Sequence, residues 1–331
     1  MSGRTVTIAE VAKHAGVAVS TVSYVLSGKR TISADTQRRV LDSIKALGYH
    51  PNAGARALAS KRANVIALVL PLRAGMHVPV LMQFATAVVT AARAYEHDVL
   101  LLTADEGPEG IRRVAASALV DGLVLMDIEE HDGRVPLLRE LAEPSVLIGF
   151  PASSAGLTCV DLDFFQAGAL CATHLADRGH TEIALLGAPA VVYSRGTGFA
   201  RRTLAGFTSV AGASGVAVPC EETFDEVLAT VRGLLDERPG LSGLVVHNEA
   251  AVNHVLAALR QLGRRVPEDV AVVALCPDDV AERAGPPLTS VLIPAEEVGR
   301  QAVMLLMEKL EGRAVTDATL LEPRLTVRQS T

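Results

Sequence analysis

The sequence predicts an α/β protein in which a small helical head precedes a two-lobed body of doubly wound parallel sheets. Three observations predict it. Charge is unevenly divided: ten cations but only three acids (Glu10, Asp35 and Asp42) precede Ala63, a charge of +7, whereas the 331-residue chain carries −6 and its remainder −13. From Ala63 onward, apolar runs of strand length alternate with amphipathic stretches of helix length, the pattern of βα repetition. Ahead of that point the chain shows capping residues and turn glycines at helical spacing instead. A basic head on an acidic body points to a polyanionic partner for the head alone.

The head reads as three helices. Ile8, Val11, Ala12 and Ala15 share one helical face, with Thr7 as N-cap and Glu10 three places later, a capping box. Gly16 ends that helix, since glycine adopts the left-handed conformation a sharp turn needs. Val19 to Leu26 forms a second, short helix. Ser33 caps a third, with Val40, Leu41, Ile44 and Leu47 on one face, and Gly48 stops it. In "YHPNAGARALASKR" the His50-Pro51 step breaks the chain, Asn52 suits a cap, and Ala55 to Ser60 spans one or two turns. That piece is too short to be stable alone. The expected domains are therefore residues 1–48 as the helical head, 49–62 as a hinge helix or linker, and 63–331 as the body.

In the body, "NVIALVL", "HDVLLLT", "VDGLVLM", "PSVLIGF", "EIALLG", "LSGLVVH", "VAVVAL" and "TSVLI" read as buried strands. Val80–Tyr95, Asp163–Arg178, Phe224–Leu235, Glu249–Leu262 and Glu296–Leu310 read as helices between them. Such sheets bind ligands outside the carboxyl ends of their strands. No apolar run approaches the roughly 20 residues of a membrane span. "MSGRTVTIAE" lacks the apolar core of a secretory signal, so a cytoplasmic protein without membrane partners is expected. Cys159, Cys171, Cys220 and Cys276 form no CxxC pair; buried thiols, no metal and no cofactor are the expectation. Asp161 and Asp163 resemble a metal pair, but Asp163 followed by Gln166 is better read as a helix cap.

"IAEVAKHAGVAVSTVSYVL" has the spacing of a helix-turn-helix. Ala12 allows two helices to cross closely, Gly16 makes the turn, and Val22 and Val25 face the core. Val19, Ser20, Thr21, Ser23, Tyr24 and Ser27 are left on the outer face. An outward helix beside basic residues is shaped for a DNA major groove. Its hydroxyls suit phosphates or base edges, and Val19 suits a thymine methyl. The plainer alternative is a solvated face of an ordinary three-helix bundle.

These residues resemble the lactose-repressor/galactose-repressor family of bacterial transcription regulators. The resemblance is carried by "TIAEVAKHAGVAVSTVSYVLSGKRTISADTQRRVLDSIKALGYHPNAGARALAS" and, in the body, by "HLADRGHTEIALLG", "LAGF", "VPEDVAVVAL", "PPLTSV" and "LTVRQS". It implies a periplasmic-binding-protein-like core that senses a small-molecule effector, and a homodimer that sets two heads on a pseudo-palindromic operator in double-stranded DNA. It implies base reading by Val19, Ser20 and Tyr24, and phosphate contacts by Thr7, Thr21, Ser23, Ser33, Thr36 and Asn52. "PNAGARALAS" matches the family's hinge helix, with Leu58 as the minor-groove wedge and Ala55 at the close hinge contact. Tyr24 departs from the arginine many members carry, which grips guanine with two hydrogen bonds; a different base preference is expected there. With no leucine-heptad helix after "LTVRQS", a dimer is expected rather than a tetramer.

The resemblance also implies an effector site between the lobes, at Met126, Gly149, Arg195, Thr203, Asn248, Glu249 and Cys276. Several of these depart from the family pattern. Thr203 stands where many members have arginine, Asn248-Glu249 replaces Asn-Asp, and Cys276-Pro277 replaces Asp-Asp, with Asp278 and Asp279 two places late. Met126 and Gly149 occupy positions that are often polar. A sugar needs carboxylates, amides and an arginine to replace its hydration. The expected effector is therefore not a typical sugar, unless a shifted loop restores Asp278. Arg195, Arg201 and Arg202 read either as a solvated charge run or as a site for an anionic effector.

The leading expectation is a repressor whose operator affinity an effector modulates. A DNA-binding regulator without ligand response is an alternative, as is a transport-type binding protein or enzyme built on the same body. The basic head argues against transport, and no catalytic cluster supports an enzyme.

Overall fold

The computed structural model describes residues 6–27, 30–49, 62–104 and 107–331. They fall into two compact units, Met1–Ala63 and Asn64–Thr331. The first unit holds α1 (Ile8–Ala15), α2 (Val19–Ser27) and α3 (Ala34–Leu47). Thr7 and Glu10 cap α1 reciprocally: the Glu10 N–H donates to Thr7 Oγ1 (3.4 Å) and the Thr7 N–H to Glu10 Oε2 (2.8 Å). Gly16 turns the chain at φ +66°. Ser33 caps α3 by accepting from the Thr36 N–H. Val11, Ala12, Ala15, Val22, Val40 and Tyr49 form the core, with Val25, Ile44 and Leu47 packed against it. Leu41 differs from expectation: it is 49% exposed. It lies about 100° around the helix from Val40, off the stripe that Ile44 and Leu47 continue. Ser43, on the opposite flank of that stripe, is buried instead and bonded to Arg39 O and His14.

The second unit contains two six-stranded sheets. Lobe one is built from β1 (Val65–Val69), α4 (Val78–Ala94), β2 (Asp98–Leu102), α5 (Gly107–Ala116), β3 (Gly122–Leu125), α6 (Val135–Glu140), β4 (Ser145–Ile148) and β5 (Cys159–Leu162). The chain then crosses to lobe two: α7 (Phe164–Asp177), β6 (Ile183–Gly187), α8 (Ala190–Ser194), α9 (Gly198–Ala211), β7 (Val216–Pro219), α10 (Phe224–Glu237), β8 (Gly243–Val246), α11 (Val252–Gln261), β9 (Ala271–Cys276), α12 (Asp278–Arg283) and β10 (Thr289–Leu292). It returns to lobe one with α13 (Ala295–Leu310) and β11 (Ala318–Leu321), and ends on lobe two with β12 (Leu325–Thr326).

The strand orders are β11-β5-β4-β3-β1-β2 and β12-β10-β9-β8-β6-β7. Every pairing is parallel except β10 with β12. The eight apolar runs all became strands. The sequence reading missed β5, β7, β11 and β12. β5 carries a buried aspartate in a four-residue strand, and β7 and β11 alternate half-buried with exposed residues. The chain thus crosses between lobes three times, near Asp163, Ile293 and Glu322. Among the described residues, no helix is long and apolar enough to cross a membrane.

Lobe two depends on a close helix pair. α7 and α9 meet through Gly168 and Gly206; a Cβ on Gly206 would sit 1.9 Å from Phe165 O, and one on Gly168 2.2 Å from Thr203 O. Gly206→Ala is therefore expected to lose about 1–3 kcal/mol of stability by overpacking. Gly233→Ala, on α10 where an added Cβ meets nothing, is expected to gain up to about 1 kcal/mol. Thermal unfolding of the two variants checks this; equal melting temperatures would contradict it.

Candidate functional site

Two places bring functional side chains together, one in each unit. In the head, α2 turns Val22 fully inward and its other face outward. Val19 is 45% and Tyr24 37% exposed. Ser20 and Ser23 are exposed and Thr21 is half-buried. The Arg30 guanidinium lies over the Tyr24 ring, 5.9 Å from its centroid, so this face carries a cation although α2 itself has none. Thr7 and Ser33 spend their hydroxyls on helix caps, and Ser33 Oγ donates to Thr36 Oγ1. Ser27 lies within α2. Asn52, Ala55 and Leu58, in the 49–62 segment, lie outside the described residues.

In the body, a cleft of about 900 Å³, counting its open mouth, lies between the lobes. It sits at the carboxyl ends of strands from both sheets, as the topology requires. Met126 and Asp127 follow β3, Gly149 follows β4, Asp161 lies in β5, His247 to Glu249 follow β8, and Ile293 follows β10. Five expected positions line it: Met126, Gly149, Arg195, Asn248 and Glu249. Thr203 and Cys276 do not. Both are fully buried; the Thr203 hydroxyl donates to Phe199 O (3.0 Å), and Cys276 packs in the core of lobe two. Asp278 does not rescue the site either, because it lies outside the cleft and accepts from Arg328 (3.0 Å).

The structure adds groups that the sequence reading did not select: Asp127, Asp161, His247 and the rings Phe164 and Phe199. Phe164, Phe199 and His247 form a three-ring cluster with centroids 5.6–6.1 Å apart. Burial pushes His247 down to about 4, so it is neutral near pH 7. Burial pushes Asp161 up to about 7, against the pull of Arg202. Burial, helped by the charge of Glu222, pushes Glu249 up to about 7. The signal available for Asp161 was a charged residue inside an apolar run; for Asp127 and His247 it was position at a strand's carboxyl end.

The three arginines each have a partner across the cleft. They tie lobe two to lobe one. Arg195 Nη1 donates to Ala74 O (2.8 Å), Arg201 Nη1 to Glu130 Oε2 (2.8 Å), and Arg202 Nη2 to Asp161 Oδ2 (3.0 Å). Two backbone bonds lie among them: Glu130 N–H to Gly196 O (2.8 Å) and Gly198 N–H to Ile128 O (3.0 Å). Asp163 caps α7 by accepting from the Gln166 N–H (3.0 Å). Among the described residues, no group of three His, Cys, Asp or Glu side chains is placed to hold a metal ion.

Residues 7–52 match the family model described as bacterial regulatory proteins, lacI family, and residues 172–331 match a periplasmic binding protein-like domain. The HTH-type transcriptional regulator CelR of Thermobifida fusca is 32% identical over 345 aligned positions, covering 98% of both chains. A structure of the CelR–cellobiose complex aligns with a TM-score of 0.70 at 30% identity, covering 98% of this chain and 100% of that one. The lac repressor dimer bound to operator and the anti-inducer ONPF shares the fold, with a TM-score of 0.82 at 23% identity over 99% of each chain.

The buried Asp161 has a pH signature. Its carboxyl rises from 3.8 to about 7 on folding, so the folded chain binds the extra proton. Its contribution to stability is full below about pH 4 and is lost as pH rises to about 7. Asp161→Asn, which mimics the protonated form, is expected to gain stability relative to the parent chain between pH 5 and pH 8. Urea unfolding at the two pH values measures this, and a parent-to-variant difference independent of pH would contradict it.

Proposed function

Because the chain belongs to the lacI family of bacterial regulatory proteins, we propose that it is a transcription repressor that binds a pseudo-palindromic operator as a homodimer. In this reading α2 enters the major groove, where Val19, Ser20 and Tyr24 read bases. Thr21, Ser23 and Ser27 on α2, with Thr7, Ser33, Thr36 and Asn52, meet phosphates. Residues 49–62 act as the hinge, with Leu58 as wedge and Ala55 beside it. A small molecule between the lobes modulates operator affinity by favouring one lobe arrangement over another. The protein acts in the cytoplasm and catalyses no reaction.

One observation carries this reading most: the outer face of α2 is exposed and hydroxyl-rich while Val22 anchors its other side. The homodimer is supported by exposed apolar side chains along α4, namely Val78, Met82 and Val89, with Tyr95 at its end. A second copy covering that stripe would remove it from water.

Selection of bound sites from random DNA tests the reading. A palindromic site, with affinity that falls steeply as salt rises, is expected; failure to enrich any palindrome would contradict it. The same selection with Tyr24→Arg is expected to shift one position of each half-site toward guanine, because arginine supplies the two-pronged donor tyrosine lacks. An unchanged site would mean that Tyr24 only packs.

A further inference from the structure

The outer face of α2 presents hydroxyls and apolar groups but no charge of its own. Ser20 and Tyr24 stand four residues apart, on one row of the helix, with Val19 and Ser23 exposed beside them. Each hydroxyl on this face offers a single donor, and Val19 offers none. A group of another kind reaches the face from beyond the helix. Arg30 is exposed, and its guanidinium lies over the Tyr24 ring, 5.9 Å from the centroid, within cation–π range.

Two observations set Arg30 apart from other arginines of the head. Arg38 and Arg39 on α3 both meet Asp35, at 2.9 and 3.7 Å, so an acid of their own helix already shares their charge. Arg30 pairs with no carboxylate among the described residues; its one contact there is the ring. The second observation is that contact itself. A point charge is enough to neutralise a phosphate and needs no fixed direction. A guanidinium resting on a ring has lost part of its freedom before any partner arrives, which favours a contact that depends on direction.

Among base edges in the major groove, guanine sets two acceptors, N7 and O6, side by side. A guanidinium fork meets both at once, and the single hydroxyl of a serine, threonine or tyrosine does not. We infer that Arg30, held on the Tyr24 ring, reads one guanine in each operator half-site, and that Tyr24 is its positioning residue. The ring, rather than the phenol hydroxyl, supplies the platform, so Tyr24 acts on base choice through Arg30. This rests on reading α2 as the helix that enters the major groove.

Sites bound by the full chain are selected from random double-stranded DNA, for the parent and for Arg30→Met. The parent is expected to prefer one guanine per half-site about tenfold over the other bases. Arg30→Met is expected to lose that preference while the other positions of the site stay as they were, which also shows that the variant folds. Anisotropy titrations then compare the selected operator with a copy in which that guanine is replaced by adenine. Tyr24→Phe keeps the platform and is expected to keep the tenfold ratio. Tyr24→Leu removes it and is expected to lower the ratio about threefold. Four results would each overturn the inference. One is the lack of any guanine position that depends on Arg30. Another is uniform weakening or loss of binding to every sequence in Arg30→Met, with a shallower salt dependence where binding persists, the mark of a phosphate contact. The others are loss of the ratio in Tyr24→Phe and an unchanged ratio in Tyr24→Leu. A parent chain that enriches no palindrome would instead sink the repressor reading itself, which separates the two failures.

Discussion

The body depends on the clasp that residues 195–202 make across the cleft. Its central member is Arg202 reaching Asp161, a charge placed inside strand β5. Burial alone would keep that carboxyl protonated well above its ordinary range, and the guanidinium only partly offsets this. Such a pair contributes little to net stability, because the desolvation of two charges nearly cancels their attraction. It matters as a geometric constraint instead. Asp161 belongs to the sheet of lobe one and Arg202 to α9 of lobe two, so their bond at 3.0 Å fixes how the lobes face each other. The backbone bonds of Gly196 and Gly198 to the opposite lobe hold the same register. Asp127, Arg195 and the ring cluster all line the cleft between the lobes so held.

Much of the head was legible because its determinants are local. Thr7 and Glu10 are three residues apart, as are Ser33 and Thr36, and caps of this kind are read straight off the chain. Leu41 was misassigned for an equally local reason: an apolar residue beside a stripe is not in it. The sheets were legible where strands are buried on both faces, and obscure at β7 and β11, where alternating exposure weakens the signal. The cleft was half legible. Met126, Gly149, Asn248 and Glu249 follow strand ends, so topology alone places them. Thr203 and Cys276 depend on which face of an element turns inward, and both turned toward the core. The partners of Arg201 and Arg202 lie 71 and 41 residues away in sequence, a separation no local pattern encodes.

Head and body divide the work along the line their charges suggest. The basic head offers an uncharged, exposed helix face with the Arg30 guanidinium on its Tyr24 ring. The acidic body offers a cleft whose polar groups are largely committed to one another. The cleft is walled by apolar and aromatic side chains and bridged by arginines that come from neighbouring positions.

If lobe arrangement sets operator affinity, breaking the clasp must be felt at the operator. The most direct measurement is the operator dissociation constant of the full chain, by fluorescence anisotropy at fixed salt, for the parent and for Arg202→Leu. Coupling of ordinary allosteric size predicts a change of about fivefold or more. An unchanged dissociation constant, in a variant shown to be folded, would contradict the account.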